Sequence, residues 1–124
     1  MKQSRMHTLS TSERLNLVLS ILSDKKADQI VALDLRDLSY LLCDYFIVAT
    51  AESNRQAQAI IDTLIEKLKE REGARVGYRV EGYEVGRWIL LDLGDIVIHV
   101  LLPEMRAYYR LEELWGDAKA VAHA

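Results

Sequence analysis

The chain has 124 residues, half of them hydrophobic and 28% charged, a length and composition that fit one domain with a sizeable core and exclude a disordered chain. Its net charge of −3 argues against a general nucleic-acid binder, which needs a basic footprint to displace counterions, so no direct sequence-specific nucleic-acid contact is expected. One cysteine, Cys43, rules out a disulfide framework and any multi-cysteine metal site.

Residues 1–11 hold Lys2 and Arg5 but no apolar signal core follows them. They read as a frayed N-terminus of a cytoplasmic protein. Ser12 precedes an apolar-periodic run, Leu15, Val18, Leu19 and Leu22, which predicts a helix to about Lys25. Gln29–Leu35 predicts a strand, and the continuously apolar Tyr45–Ala51 a second one buried on both faces. Ser53 and Gln56 have the spacing of a reciprocal cap. They open a long helix over Asn54–Arg71, with Ala57, Ile60, Ile61, Leu64, Ile65 and Leu68 as its buried face and Gly73 as its stop.

Tyr78–Glu81 predicts a short strand. Trp88–Asp92 and Ile96–Leu102 predict a hairpin joined by Leu93-Gly94-Asp95, in which Gly94 supplies the positive φ of the turn. The apolar stretch across this hairpin is broken by Asp92, Asp95 and His99, so no membrane span is expected. Pro103 fits the first position of a short helix carrying Met105, Tyr108, Leu111 and Leu114. Residues 119–124 read as a frayed tail. The order predicts a single α/β domain over residues 12–118, a mixed sheet of about five strands with helices packed on it. Charge is uneven along it: residues 1–80 hold 12 Lys/Arg against 11 Asp/Glu, and residues 81–124 hold 4 against 8. An acidic C-terminal half suits a basic protein partner.

Asp92, Asp95 and Glu81, with Asp44 and Asp34 near neighbouring strand ends, are the residue types a metal-dependent nucleotidyltransferase would need. Against this, Asp at turns commonly bonds backbone amides, and TAESNRQ over 50–56 is a poor phosphate cradle. No metal and no cofactor are therefore expected. His99 lacks a nearby nucleophile pattern. Cys43 adjoins Asp44, whose charge disfavours a thiolate. Ser53 is better explained as a cap than as a nucleophile. Trp88 shares a strand face with Leu90 and Asp92. It reads either as a core residue or as an interface anchor whose indole N–H reaches a partner.

The segments KKADQIVALDLRDLS (25–39), CDYFIVATAESNRQAQAI (43–60), VEGYEVGRWILLDLGDIVIHV (80–100) and EMRAYYRLEELWGDA (104–118) together resemble the ribosomal silencing factor family, also called Iojap-like. The resemblance implies a sheet similar to that of nucleotidyltransferases but no evident transferase activity. It implies a protein that binds the large ribosomal subunit through ribosomal protein fourteen and sterically blocks joining of the small subunit, repressing translation in stationary phase or starvation. A homodimer is also implied. Carried over residue by residue, Trp88 matches the family's partner-contacting tryptophan, with Leu90, Asp92, Leu93 and Asp95 around it. Asp44, Arg106 and Tyr109 match a supporting network between the terminal helix and the sheet.

Overall fold

The computed structural model describes residues 8–37, 43–73, 76–109 and 119–123. In chain order its elements are α1 (Thr11–Asp24), β1 (Asp28–Asp34), β2 (Tyr45–Thr50), α2 (Asn54–Glu72), β3 (Arg79–Glu81), β4 (Trp88–Asp92), β5 (Ile96–Leu101), α3 (Pro103–Tyr109) and β6 (Lys119–His123). The strands form one sheet in the order β3-β4-β5-β2-β1-β6. β2 and β5 run parallel, and the other neighbouring pairs are antiparallel. The expected α/β domain with a mixed sheet is present, enlarged by one strand. Residues 119–123, read above as a frayed tail, pair with β1 from Val31 to Asp34. Leu111 and Leu114, expected on the last helix, lie outside the described residues. Among the described residues no helix is long and apolar enough to cross a membrane.

Local chemistry sets the helix ends. α1 begins two residues earlier than a cap at Ser12 would set it, because Ser10 is the cap: its side chain accepts from the Glu13 amide, and Glu13 accepts from the Ser10 amide in return. Leu9, inside the segment expected to fray, is buried. At α2, Ser53 accepts from the Gln56 amide as predicted. The return bond runs one residue further back than the spacing suggests, from the Glu52 amide to Gln56 Oε1 at 2.7 Å. Gln56 also donates to the carbonyls of Lys25 and Lys26, tying the start of α2 to the α1–β1 turn.

Strand alternation divides the core in two. Toward α1 and α2 the sheet presents Ile30, Ala32, Ile47, Ala49, Ile89, Leu91, Ile98 and Val100, packed with Val18, Leu22, Ile60, Ile61 and Leu64. Toward the other side it presents Val31, Leu33, Phe46, Val48 and Leu101, with Trp88, Val97 and Met105 of α3 partly buried against them.

A polar cluster locks the first layer. Arg14 on α1 makes a two-pronged pair with Glu72 at the end of α2, at 2.6 and 3.0 Å, and a third bond to Asp95 in the β4–β5 turn at 2.7 Å. Glu72, only 2% exposed, also accepts from the Leu9 amide, and Thr11 donates to Asp95. Two carboxylates around one guanidinium join three segments distant in the chain, with further donors on their oxygens. Glu72→Ala would leave the buried Leu9 amide and most of the Arg14 fork unmatched. We expect urea unfolding to show a loss of about 2–4 kcal/mol; a loss within the usual range of surface substitutions would refute a stabilising role for the cluster.

Candidate functional site

β4 alternates cleanly. Ile89 and Leu91 are fully buried beneath the helices, whereas Trp88, Leu90 and Asp92 lie half-buried on the opposite face. The β4–β5 register sets Leu90 beside His99 and Asp92 beside Val97. The β2–β5 register sets Phe46 beside Val97 and Val48 beside His99. Trp88, Leu90, Val97, His99 and Phe46 thus share one sheet face, an apolar patch around the imidazole with Asp92 at its border. Next to Trp88 lies a shallow groove of about 310 Å³ lined by Glu81, Gly82, Trp88 and Leu90. At its edge Gly82 allows the close approach of the Trp88 backbone: its φ is +79°, and a Cβ there would stand 2.3 Å from the Trp88 carbonyl oxygen.

The Trp88 indole N–H is already used. It donates to His99 Nδ1 at 2.8 Å, so the expectation that it reaches out to a partner acceptor is corrected. Because indole can only donate, Nδ1 is the acceptor and the imidazole proton sits on Nε2. His99 also lies against Phe46, with ring centroids 4.5 Å apart. Burial pushes its pKa down to about 4, so the ring is neutral at neutral pH.

The acidic residues separate. Asp92 stays on the Trp88 face, accepting from the Gly94 amide at 2.8 Å and from Arg79 at 3.2 Å. Arg79 also meets Glu81 at 3.0 Å, so an exposed row of two carboxylates and one guanidinium borders the apolar patch. Asp95 turns to the helix side, into the Arg14 cluster. Leu93 likewise packs into the helix-covered core at 7% exposure. The two turn residues expected around Trp88 therefore support the hairpin from behind. Asp34 is held by Arg36. Among the described residues, no three His, Cys, Asp or Glu side chains come together in a way that could hold a metal ion. Burial, with Asp92 and Asp44 nearby, pushes the Cys43 thiol up, away from a reactive thiolate.

The expected supporting network is not one cluster. Arg106, buried on α3, donates to the Thr50 hydroxyl and the Gln29 carbonyl, holding α3 to one end of β2. Asp44 precedes the other end, where its amide donates to the Asp95 carbonyl and its carbonyl accepts from Leu35. The Tyr109 side chain lies outside what is described. Glu72 and Arg14 were missed in the sequence. The Ser10-x-x-Glu13 spacing, a local sign that a helix passes through Arg14, was legible there.

The chain is similar to known proteins along most of its length. Residues 8–124 match the family described as "Ribosomal silencing factor during starvation". A "Ribosomal silencing factor RsfS" of Halalkalibacterium halodurans is 45% identical over 91% of this chain and 94% of its own length. The chloroplastic "Protein Iojap" of Zea mays is 37% identical, covering 80% of this chain and 42% of the maize protein. A crystal structure of a Chromobacterium violaceum protein superposes with a TM-score of 0.79 at 40% identity, covering 94% of this chain and 93% of that one.

His99 supplies a pH prediction. An unfolded chain protonates this histidine near pH 6.5, whereas the folded chain does so only near 4. The stabilisation is therefore complete above the unfolded value and is lost as pH falls toward 4, because the unfolded state then binds the extra proton. Unfolding free energies measured across that window should fall by roughly 3 kcal/mol from this group. His99→Asn should fall by less over the same window, and parallel curves for the two proteins would contradict a neutral, buried imidazole.

Proposed function

The chain belongs to the ribosomal silencing factor family, and on that premise we propose that it represses translation by binding the large ribosomal subunit through ribosomal protein fourteen. Occupying that surface sterically blocks the small subunit from joining, in stationary phase or starvation. The observation that carries this reading is the half-buried face of β4. Trp88 and Leu90 offer a rigid apolar centre there, and Glu81 and Asp92 border it. Large aromatic side chains at the centre of a patch supply most of the energy of such interfaces.

Asp92 and Glu81 suit Arg or Lys on a basic ribosomal protein. Their charge contributes orientation and encounter rate more than affinity, since both are already shared with Arg79. Asp95 and Leu93 act indirectly, by holding the turn. The action needs no bond made or broken: an interface of standard size covers about 800 Å² per partner, enough to exclude a second macromolecule from the same surface. The same face would also serve a homodimer, so self-association and ribosome binding would compete. The site of action is the cytoplasm, where subunits join.

Cosedimentation with purified large subunits, small subunits and intact ribosomes tests this reading. The unsubstituted protein should pellet with large subunits alone. Trp88→Ala, shown to be folded by its melting curve, should bind them about thirtyfold more weakly. Undiminished binding of that folded variant would remove the β4 face from the interface, and absence of binding by the unsubstituted protein would overturn the whole reading.

A further inference from the structure

His99 belongs to the hairpin but has no part in the docking reading so far. A histidine is a costly choice for the middle of a strand where only 7% of it meets solvent, because an imidazole must be kept uncharged and its nitrogens partnered. Its neighbours across the sheet, Leu90 and Val48, are apolar and would pack equally well against a leucine or valine. What distinguishes the imidazole is the Nδ1 lone pair 2.8 Å from the Trp88 indole nitrogen. Trp88 is paired in register with Leu101, two residues beyond His99 on β5, so the contact is diagonal across the strands on one face. The imidazole is itself fixed by Phe46, whose ring lies at 42° to it. The chain of support runs from buried β2, through a buried ring on β5, to the half-buried indole on β4.

We propose that His99 is a positioning residue for partner docking: through Nδ1 it holds the Trp88 indole in a single orientation on the exposed margin of the sheet, an inference that rests on the docking reading above. A side chain that is ordered before the partner arrives loses no rotamer freedom on binding. Without the acceptor, the half-buried N–H loses the 2.8 Å bond that fixes its direction, and the indole is no longer held to that pose. The acceptor is available throughout the pH range in which ribosomes work, since the imidazole there is neutral.

The test compares the full chain with His99→Leu, which fills the space without an acceptor, and His99→Asn, which keeps an acceptor oxygen close to the Nδ1 position. Three readouts are taken: the melting temperature, the exchange rate of the Trp88 indole proton by NMR, and binding to isolated large ribosomal subunits. We expect His99→Leu to fold, to exchange that proton about tenfold faster and to bind about tenfold more weakly. His99→Asn should recover binding to within about threefold. Unchanged binding by folded His99→Leu overturns the positioning role while the docking reading stands. Equal weakening in both variants overturns it too, since loss of shape would then explain the effect. If the unsubstituted protein fails to bind, the docking reading falls and this role falls with it. Should His99→Leu unfold the chain, His99→Phe, a ring without an acceptor, is judged by the same outcomes.

Discussion

Burial of both faces of β2 is the constraint on which the rest of the architecture depends. Every residue from Tyr45 to Thr50 is buried, and a strand with two apolar faces is stable only when each is covered. α1 and α2 cover one face. On the other, Met105 of α3 contributes to the apolar cluster, and Arg106 fastens α3 to Thr50 and Gln29. Cover is uneven across this face. Val48 and Leu101 are fully buried, whereas Val97, Trp88 and Leu90 are only partly so. The candidate docking face is the margin of this second layer, where an apolar surface is presented by strands whose other side is locked.

Legibility in the sequence followed the range of the interactions. The hairpin bounds, the long helix and the doubly buried strand could be read because each rests on a local pattern: Gly94 at a turn, a spacing of three and four, an unbroken apolar run. The cap of α1 was also legible, since Ser10 has a Glu three residues on and Ser12 does not, but three consecutive hydroxyl residues obscured it. β6 could not be read. Its segment, KAVAH, has little strand propensity of its own and becomes a strand because β1 offers an edge.

The faces taken by the candidate residues were legible where alternation applied and misread where it stopped. Trp88, Leu90 and Asp92 share a face because a strand repeats every two residues. Leu93 and Asp95 sit in the turn, where no period fixes a direction, and both go to the helix side. The partner that draws Asp95 there, Arg14, lies 81 residues away, and Glu72 lies 58 from Arg14. Such meetings are products of the tertiary fold. The Trp88–His99 bond joins residues only 11 apart, yet two strands had to be placed in register before it could be seen.

The pairing of β6 with β1 has a consequence for how the protein is made. β6 is the last strand of the sheet to leave the ribosome, so until it arrives β1 is an edge with free backbone donors and acceptors beside Val31, Ala32 and Leu33. An unpaired apolar edge invites strands from other nascent chains. Residues 119–123 therefore act as a guard against aggregation, and slow synthesis between β1 and β6 lengthens the time during which the guard is missing.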